Sequence, residues 1–264
     1  MKLGFIGAGN MATALVRGIL DNGILTADHV LAADISPEAR KTFKENTGIT
    51  PTDKTADMAD SVDALVIAVK PQLAKDAVCD IAEQCANSLV ISIAAGIRLE
   101  KVCQWVGHKR VIRVMPNTPS QIRKGAAGFA CAEEAREEDK GLVRNILEGV
   151  GIALELDEEQ LDTVTALSGS GPAYVFEFTQ ALIEAGVNHG LPRETSIKLA
   201  IQTMAGASEM LSRSQGSPEE LRSAVTSPGG TTEAGLKILD DNNFRQILQD
   251  VVGAAKNRSI ELSK

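Results

Sequence analysis

The residues of this chain best placed to do chemistry are glycines and hydroxyls gathered in turns that open helices. One turn is Gly7-Ala8-Gly9-Asn10-Met11-Ala12, directly after an N-terminal apolar run. Another is Ser227-Pro228-Gly229-Gly230-Thr231-Thr232, near the C-terminus. Such a turn aims backbone N–H groups at a negative charge, and the dipole of the helix behind it favours that charge. The pair therefore predicts two anion sites. The alternative for the second turn is a plain helix N-cap by Thr231 or Thr232. A third segment, Thr165-Ala166-Leu167-Ser168-Gly169-Ser170-Gly171-Pro172-Ala173-Tyr174, has the same character, and a cap alone would not need its two serines and two glycines. No histidine, lysine or carboxylate stands out as a proton donor. His29, His108 and His189 are scattered, and Cys79, Cys85, Cys103 and Cys131 form no CxxC pair, so no metal site is expected.

Gly7-x-Gly9-x-x-Ala12 has the spacing of a dinucleotide-binding fingerprint. Gly7 permits the tight turn, Gly9 lets the backbone approach a pyrophosphate, and Ala12 permits close helix–strand packing. The turn follows a strand-like run ending at Ile6 and opens a helix, the context that makes the pattern informative. Asp34, after the second strand-like run, stands either where a carboxylate binds the adenosine ribose or where one supports the helix start Ser36-Pro37-Glu38. Ala68-Val69-Lys70-Pro71, Ala94-Ala95-Gly96 and Met115-Pro116-Asn117-Thr118-Pro119 end the next three runs. Strand ends of this kind line a cofactor crevice. Lys70 is either a phosphate or carboxamide ligand or a surface lysine. The small residues around Ala95 leave room for a flat nicotinamide ring, and Asn117 offers polar contacts.

The elements that must carry these residues follow from periodicity. Continuous apolar runs at 2–6, 30–33, 64–69, 89–93 and 110–115 read as buried parallel strands, with helices over 11–20 and 72–84. Their alternation predicts an α/β Rossmann-type N-terminal domain. After about residue 160 the strand-like runs cease, and helical spacing dominates at 174–188, 193–213 and 244–262. The C-terminal part reads as an all-α dimerisation domain, and the boundary is set at 1–157 and 158–264. A chain of 264 residues suits two domains. A net charge of −8 argues against nucleic acid and anionic membrane as partners, and 3% aromatic residues exclude stacking platforms. No run approaches a membrane span, and the first residues run straight into a strand, which leaves no room for a signal peptide. The expected location is cytoplasmic, with the cysteines reduced.

Thr165 to Tyr174, together with Val225-Thr226-Ser227-Pro228-Gly229-Gly230-Thr231-Thr232-Glu233-Ala234-Gly235-Leu236, resembles the pyrroline-5-carboxylate reductase family. Gly7 to Ala12, Ala68 to Pro71, Ala94 to Gly96 and Met115 to Pro119 match it in order, so the resemblance spans essentially the whole chain. It implies hydride transfer from NADPH or NADH to the C=N bond of 1-pyrroline-5-carboxylate, giving L-proline in the last step of proline biosynthesis. It also implies a homodimer or a larger ring of dimers. By position, Ile6, Gly7, Ala8, Gly9, Asn10 and Met11 would meet the cofactor. So would Asp34, Thr55, Ala68, Val69, Lys70, Pro71, Ala95 and Asn117. Thr165, Ser168, Gly230, Thr231 and Thr232 would surround the substrate, whose carboxylate would be the second anion. The proton would come from Thr165, from a water, or with the substrate itself. Two positions depart from the family pattern: Asp34, where many members have Ser, Thr or Asn-Arg, and Thr55, where many have Asn. Both lie near the adenosine end and leave the choice between NADH and NADPH open.

Two other readings remain. A β-hydroxyacid dehydrogenase would need a catalytic lysine in the helical part, with Lys198 and Lys237 as the candidates. A non-catalytic dinucleotide-binding protein would be expected to have lost the hydroxyls at Thr165, Ser168, Thr231 and Thr232.

Overall fold

The computed structural model describes residues 1–263. Seven strands form one sheet: β1 (Leu3–Ile6), β2 (Val30–Ala33), β3 (Ala64–Ile67), β4 (Leu89–Ser92), β5 (Val111–Met115), β6 (Gly125–Cys131) and β7 (Gly151–Glu155), in the order β2-β1-β3-β4-β5-β6-β7. All pairs are parallel except β5 with β6. Helices α1 (Asn10–Asp21), α2 (Pro37–Thr47), α3 (Thr55–Ala59), α4 (Pro71–Cys79), α5 (Leu99–Val106) and α6 (Glu137–Glu148) join the strands.

The continuous apolar runs have a physical cause, since the sheet is covered on both faces. Leu3, Phe5, Val66 and Ile91 face the core beneath α1 and α6, while Ile6, Leu65, Ile67 and Val90 face the core beneath α4 and α5. The expected Rossmann-type domain is present, and it differs from the expectation in several elements, helices α3, α5 and α6 among them. The strand expected at 64–69 stops at Ile67, and α4 stops at Cys79 rather than 84. Two strands, β6 and β7, were not expected at all. β6 reads Gly-Ala-Ala-Gly-Phe-Ala-Cys, without a single β-branched residue. Its conformation is set by pairing on both sides, and its smallness by close approach: a Cβ on Gly125 would collide with the Ser120 hydroxyl and the Val150 carbonyl.

After β7 come α7 (Leu161–Val164), a π-helical turn (Thr165–Gly169), α8 (Gly171–Asn188), α9 (Arg193–Arg213), α10 (Pro218–Ala224), α11 (Thr231–Asp241) and α12 (Phe244–Leu262). The chain divides into two compact units. The first is Met1–Pro172 with the stretch from Ala254 onward, and the second is Ala173–Gly253. The second is helical throughout and has almost no core of its own. Ile183 and Ala200 are its buried apolar side chains, whereas Phe176 is 68% exposed, and Leu199, Ile201, Met210 and Ile247 are exposed as well. No helix among the described residues is long and apolar enough to cross a membrane.

Candidate active site

The ends of β1 to β5 lie side by side at one edge of the sheet and carry the predicted cofactor residues. Gly7 follows β1 with φ +102, a conformation that L side chains rarely adopt, and a Cβ there would lie 2.7 Å from the Ala68 carbonyl oxygen. Its N–H donates to the Ala33 carbonyl at 2.7 Å, so the turn is clamped between β2 and β3. Gly9 is the N-cap of α1 and opens onto free space, with no atom within 4 Å of a Cβ built there. No side chain caps α1, and no acidic residue sits in its first turn. The N–H groups of Asn10, Met11 and Ala12 therefore lack helical partners and face outward at the positive end of the dipole. Buried Ala12 keeps the helix close to the sheet. This cradle fits a dinucleotide pyrophosphate.

Asp34 takes the helix-supporting role considered for it and also ties β2 to the glycine turn. Its Oδ1 accepts the Ser36 N–H at 2.8 Å, supporting the start of α2, where the Ser36 side chain caps Ala39. Its Oδ2 accepts the Ala8 N–H at 2.8 Å, tying the end of β2 to the glycine turn. The Ala8 amide is thus engaged by Asp34, and each carboxylate oxygen keeps a lone pair for a hydroxyl. Arg40 is pinned nearby, its Nη1 donating to the Asp34 carbonyl at 2.7 Å. Thr55 opens α3, just beyond Thr52, which bridges to Ala33. Ala68 and Val69 are half-buried after β3, Lys70 is exposed, and Pro71 is the first residue of α4. Ala95 is exposed between buried Ala94 and Gly96 after β4.

The hydroxyl-rich segment is placed against the end of β5. The Asn117 side chain donates to the Ser168 carbonyl at 3.0 Å and accepts the Ala126 N–H at 2.9 Å. It braces the turn instead of standing free, so its predicted cofactor contact is left with the remaining amide hydrogen. A Cβ on Gly169 would press on the Met115 side chain. The turn itself is a π-helix, a form that recurs at functional sites. Thr165 Oγ1 donates to the Leu161 carbonyl at 2.7 Å, and Ser168 Oγ to the Val164 carbonyl at 3.1 Å. Both hydroxyl oxygens are left as acceptors.

In the helical unit, Gly229 has φ +71 and Gly230 is the N-cap of α11, with no side-chain cap. The alternative of a threonine cap is therefore not met: Thr231 and Thr232 are the first helical residues, exposed, with amides that lack helical partners. The Glu233 carboxylate accepts the Gly229 N–H at 2.7 Å, which leaves the following amides as the open part of the cradle. Lys198 and Lys237 are exposed and paired one helical turn away, with Glu194 and Asp241. Neither has the surroundings of a catalytic lysine.

Sequence reasoning missed a buried ionic cluster in the first unit. Arg98 pairs with Asp162 at 2.6 Å and Arg113 with Glu158 at 3.0 Å. Burial pulls the Arg113 guanidinium below its usual range, against the opposing pull of Glu158. The available signal was an arginine inside the apolar run Val111-Ile112-Arg113-Val114.

Comparison with known proteins bears on both halves. A family model described as pyrroline-5-carboxylate reductase dimerisation matches residues 158–262, and one described as NADP oxidoreductase, coenzyme F420-dependent, matches residues 2–96. A pyrroline-5-carboxylate reductase of Arabidopsis thaliana is 41% identical over 100% of this chain and 96% of its own length. The solved pyrroline-5-carboxylate reductase of Coxiella burnetii superposes with a TM-score of 0.94 at 37% identity, covering 100% of this chain and 98% of its own. The Plasmodium falciparum pyrroline carboxylate reductase, solved with NADP bound, gives 0.88 at 34% identity, with the same coverage of 100% and 98%.

Proposed function

The chain belongs to the pyrroline-5-carboxylate reductase family, and from that premise we propose that it reduces the C=N bond of 1-pyrroline-5-carboxylate to L-proline with NAD(P)H, the closing step of proline biosynthesis. The observation that carries this reading is similarity over the full length of the chain, which takes in both glycine turns and the hydroxyl-rich segment. The uncapped start of α1, with the open space above Gly9, suits the cofactor pyrophosphate. Ile6, Gly7, Asn10, Met11, Asp34, Thr55 and the strand-end residues Ala68 to Pro71, Ala95 and Asn117 form its surroundings in this reading.

Bound NAD(P)H supplies the hydride that the imine carbon accepts. The protein's share is position and field. We assign Gly230, Thr231 and Thr232 to the substrate carboxylate, held by backbone N–H groups and the Thr232 hydroxyl. Thr165 and Ser168 are assigned to the imine end. Thr165 already donates its proton to Leu161, so its oxygen is suited to accept from an iminium N–H. The substrate then binds protonated, the better hydride acceptor, and the ring nitrogen keeps that proton in proline. Atoms balance as imine, one proton and one hydride giving the amine.

Residues 158–262 carry the family's dimerisation domain, and the chain self-associates through it. We propose a homodimer, or a ring of dimers, as the working form, with 1–157 holding cofactor and 158–264 holding substrate and partner. A cytoplasmic location is proposed in keeping with the four free thiols. One assay tests the activity: loss of NAD(P)H absorbance on adding pyrroline-5-carboxylate, beside a 3-hydroxy acid with NAD(P)⁺. Loss with the imine alone supports the proposal; turnover of the hydroxy acid, or no change in either, overturns it.

A further inference from the structure

Strand β5 carries Arg113 with its side chain only 1% exposed. A buried guanidinium is costly unless it is paired and hydrogen-bonded. Its Nη1 donates to Glu158 Oε1 at 3.0 Å, and that same oxygen accepts the Leu99 N–H at 2.6 Å. The neighbouring residue, Arg98, donates to Asp162 Oδ2 at 2.6 Å. The other oxygen of Asp162, Oδ1, accepts the Ser259 hydroxyl at 2.7 Å. Asp162 and Ser259 are buried too.

Two features set this cluster apart from ordinary packing. Arg113 Nη2 and Ser92 Oγ are both buried without a hydrogen-bond partner, and Ser92 is the register partner of Arg113 on β4. A core selected for stability alone would do as well with apolar residues of the same volume. What paired charges can supply is a single register between the segments they join. Those segments are informative. Arg98 and Leu99 end the loop that carries Ala95. Glu158 and Asp162 lie four residues apart, and Thr165 follows Asp162 within a helical turn.

On the reading given above, we propose that Arg98, Arg113, Glu158, Asp162 and Ser259 are positioning residues that fix the Ala95 loop against the Thr165 turn, and so set the reach between the cofactor edge and the imine. None of the five touches the reacting atoms. Glu158, held by Arg113, acts through the Leu99 amide, and Arg98 with Asp162 through the start of the Thr165 helix. Ser259 closes the set by orienting the Asp162 carboxylate.

Two variants test this, Asp162→Asn, which removes the charge but keeps the shape, and the milder Ser259→Ala, which removes one hydrogen bond. Hydrogen exchange on the cofactor-free protein is the first readout. Peptides covering 94–99 and 161–170 should exchange about tenfold faster, with the strands β1 to β3 unchanged. The second readout is kinetic. A loosened reach lowers kcat by about tenfold and raises the isotope effect from 4-deuterated cofactor, with NAD(P)H affinity unchanged. A merely structural role lowers activity in proportion to the unfolded fraction and leaves the isotope effect alone, which would overturn the proposal. Wild-type exchange in both peptides of the Ser259→Ala protein would overturn it as well. The exchange readout needs no substrate. A wild-type protein inert toward the imine would strike the proposed function while exchange still judged the network.

Discussion

Thr165 enters the proposed chemistry with its proton already committed to the Leu161 carbonyl. It is therefore better placed to hold a protonated ring nitrogen than to protonate one. Thr232 stands differently, exposed at the open start of α11, with no capping bond. On the proposed assignment, replacing it with alanine removes one hydrogen bond to the substrate carboxylate. The expected effect is a KM for the imine raised by about 1–2 kcal/mol, roughly 5- to 30-fold, with NAD(P)H affinity unchanged. Steady-state kinetics with the cofactor dissociation constant measured separately check this. We propose that Asp34 bears on cofactor choice. Its carboxylate repels a 2′-phosphate, and Arg40 beside it is held to the Asp34 carbonyl. Asp34→Ser is expected to shift the NADH/NADPH ratio of kcat/KM toward NADPH, and an unmoved ratio would remove Asp34 from that role. The glycine and hydroxyl turns were legible from residue type and spacing. The contacts of Asp34 with Ala8, and of Asn117 with Ser168, were not, because they join residues distant in sequence through side-chain geometry that no local pattern encodes.

Among the elements, the early strands were legible because two-sided burial writes itself as unbroken apolar runs. β6 and β7 were not. β6 is made of small residues whose strand state is imposed by its neighbours, and β7 is largely exposed at the sheet edge. The short α4 ends before the apolar spacing does. The join between β5 and α6 also depends on a contact that sequence does not announce. Arg110 donates to both oxygens of Asp139, at 2.9 and 2.6 Å, and the same carboxylate accepts the Arg136 N–H at the start of α6. Burial pushes the Asp139 carboxyl up, but Arg110 and the Arg136 amide together hold it below its usual range. A carboxyl lowered in the folded state adds stability that is present above its unfolded pKa and is lost as pH falls through the folded value. Asp139→Asn is expected to cost about 3 kcal/mol at neutral pH and to flatten the acid limb of the stability curve. Denaturant melts at neutral and acid pH provide the measurement.

At the scale of the whole molecule, the helical unit is the informative part. Its long helices were legible from their spacing, yet their apolar residues stay exposed in the single chain. A face of this kind needs a partner, and it lies within the residues that match the dimerisation model. Stability should therefore depend on concentration, with Tm falling on dilution. Replacing exposed Leu199 or Ile201 with glutamate is expected to shift the protein toward monomer in sedimentation and to lower activity per chain. A monomer with full activity would separate association from catalysis.

The stretch from Ala254 onward belongs to the first unit, and through it Ser259 reaches Asp162. On the ribosome, the strands of that unit emerge early, but the stretch from Ala254 emerges only after the helical unit. Asp162 must wait for its hydroxyl while the whole helical unit is made. The order of synthesis and the order of closure therefore part company. A chain stalled before residue 254 would hold Asp162 without the Ser259 hydroxyl.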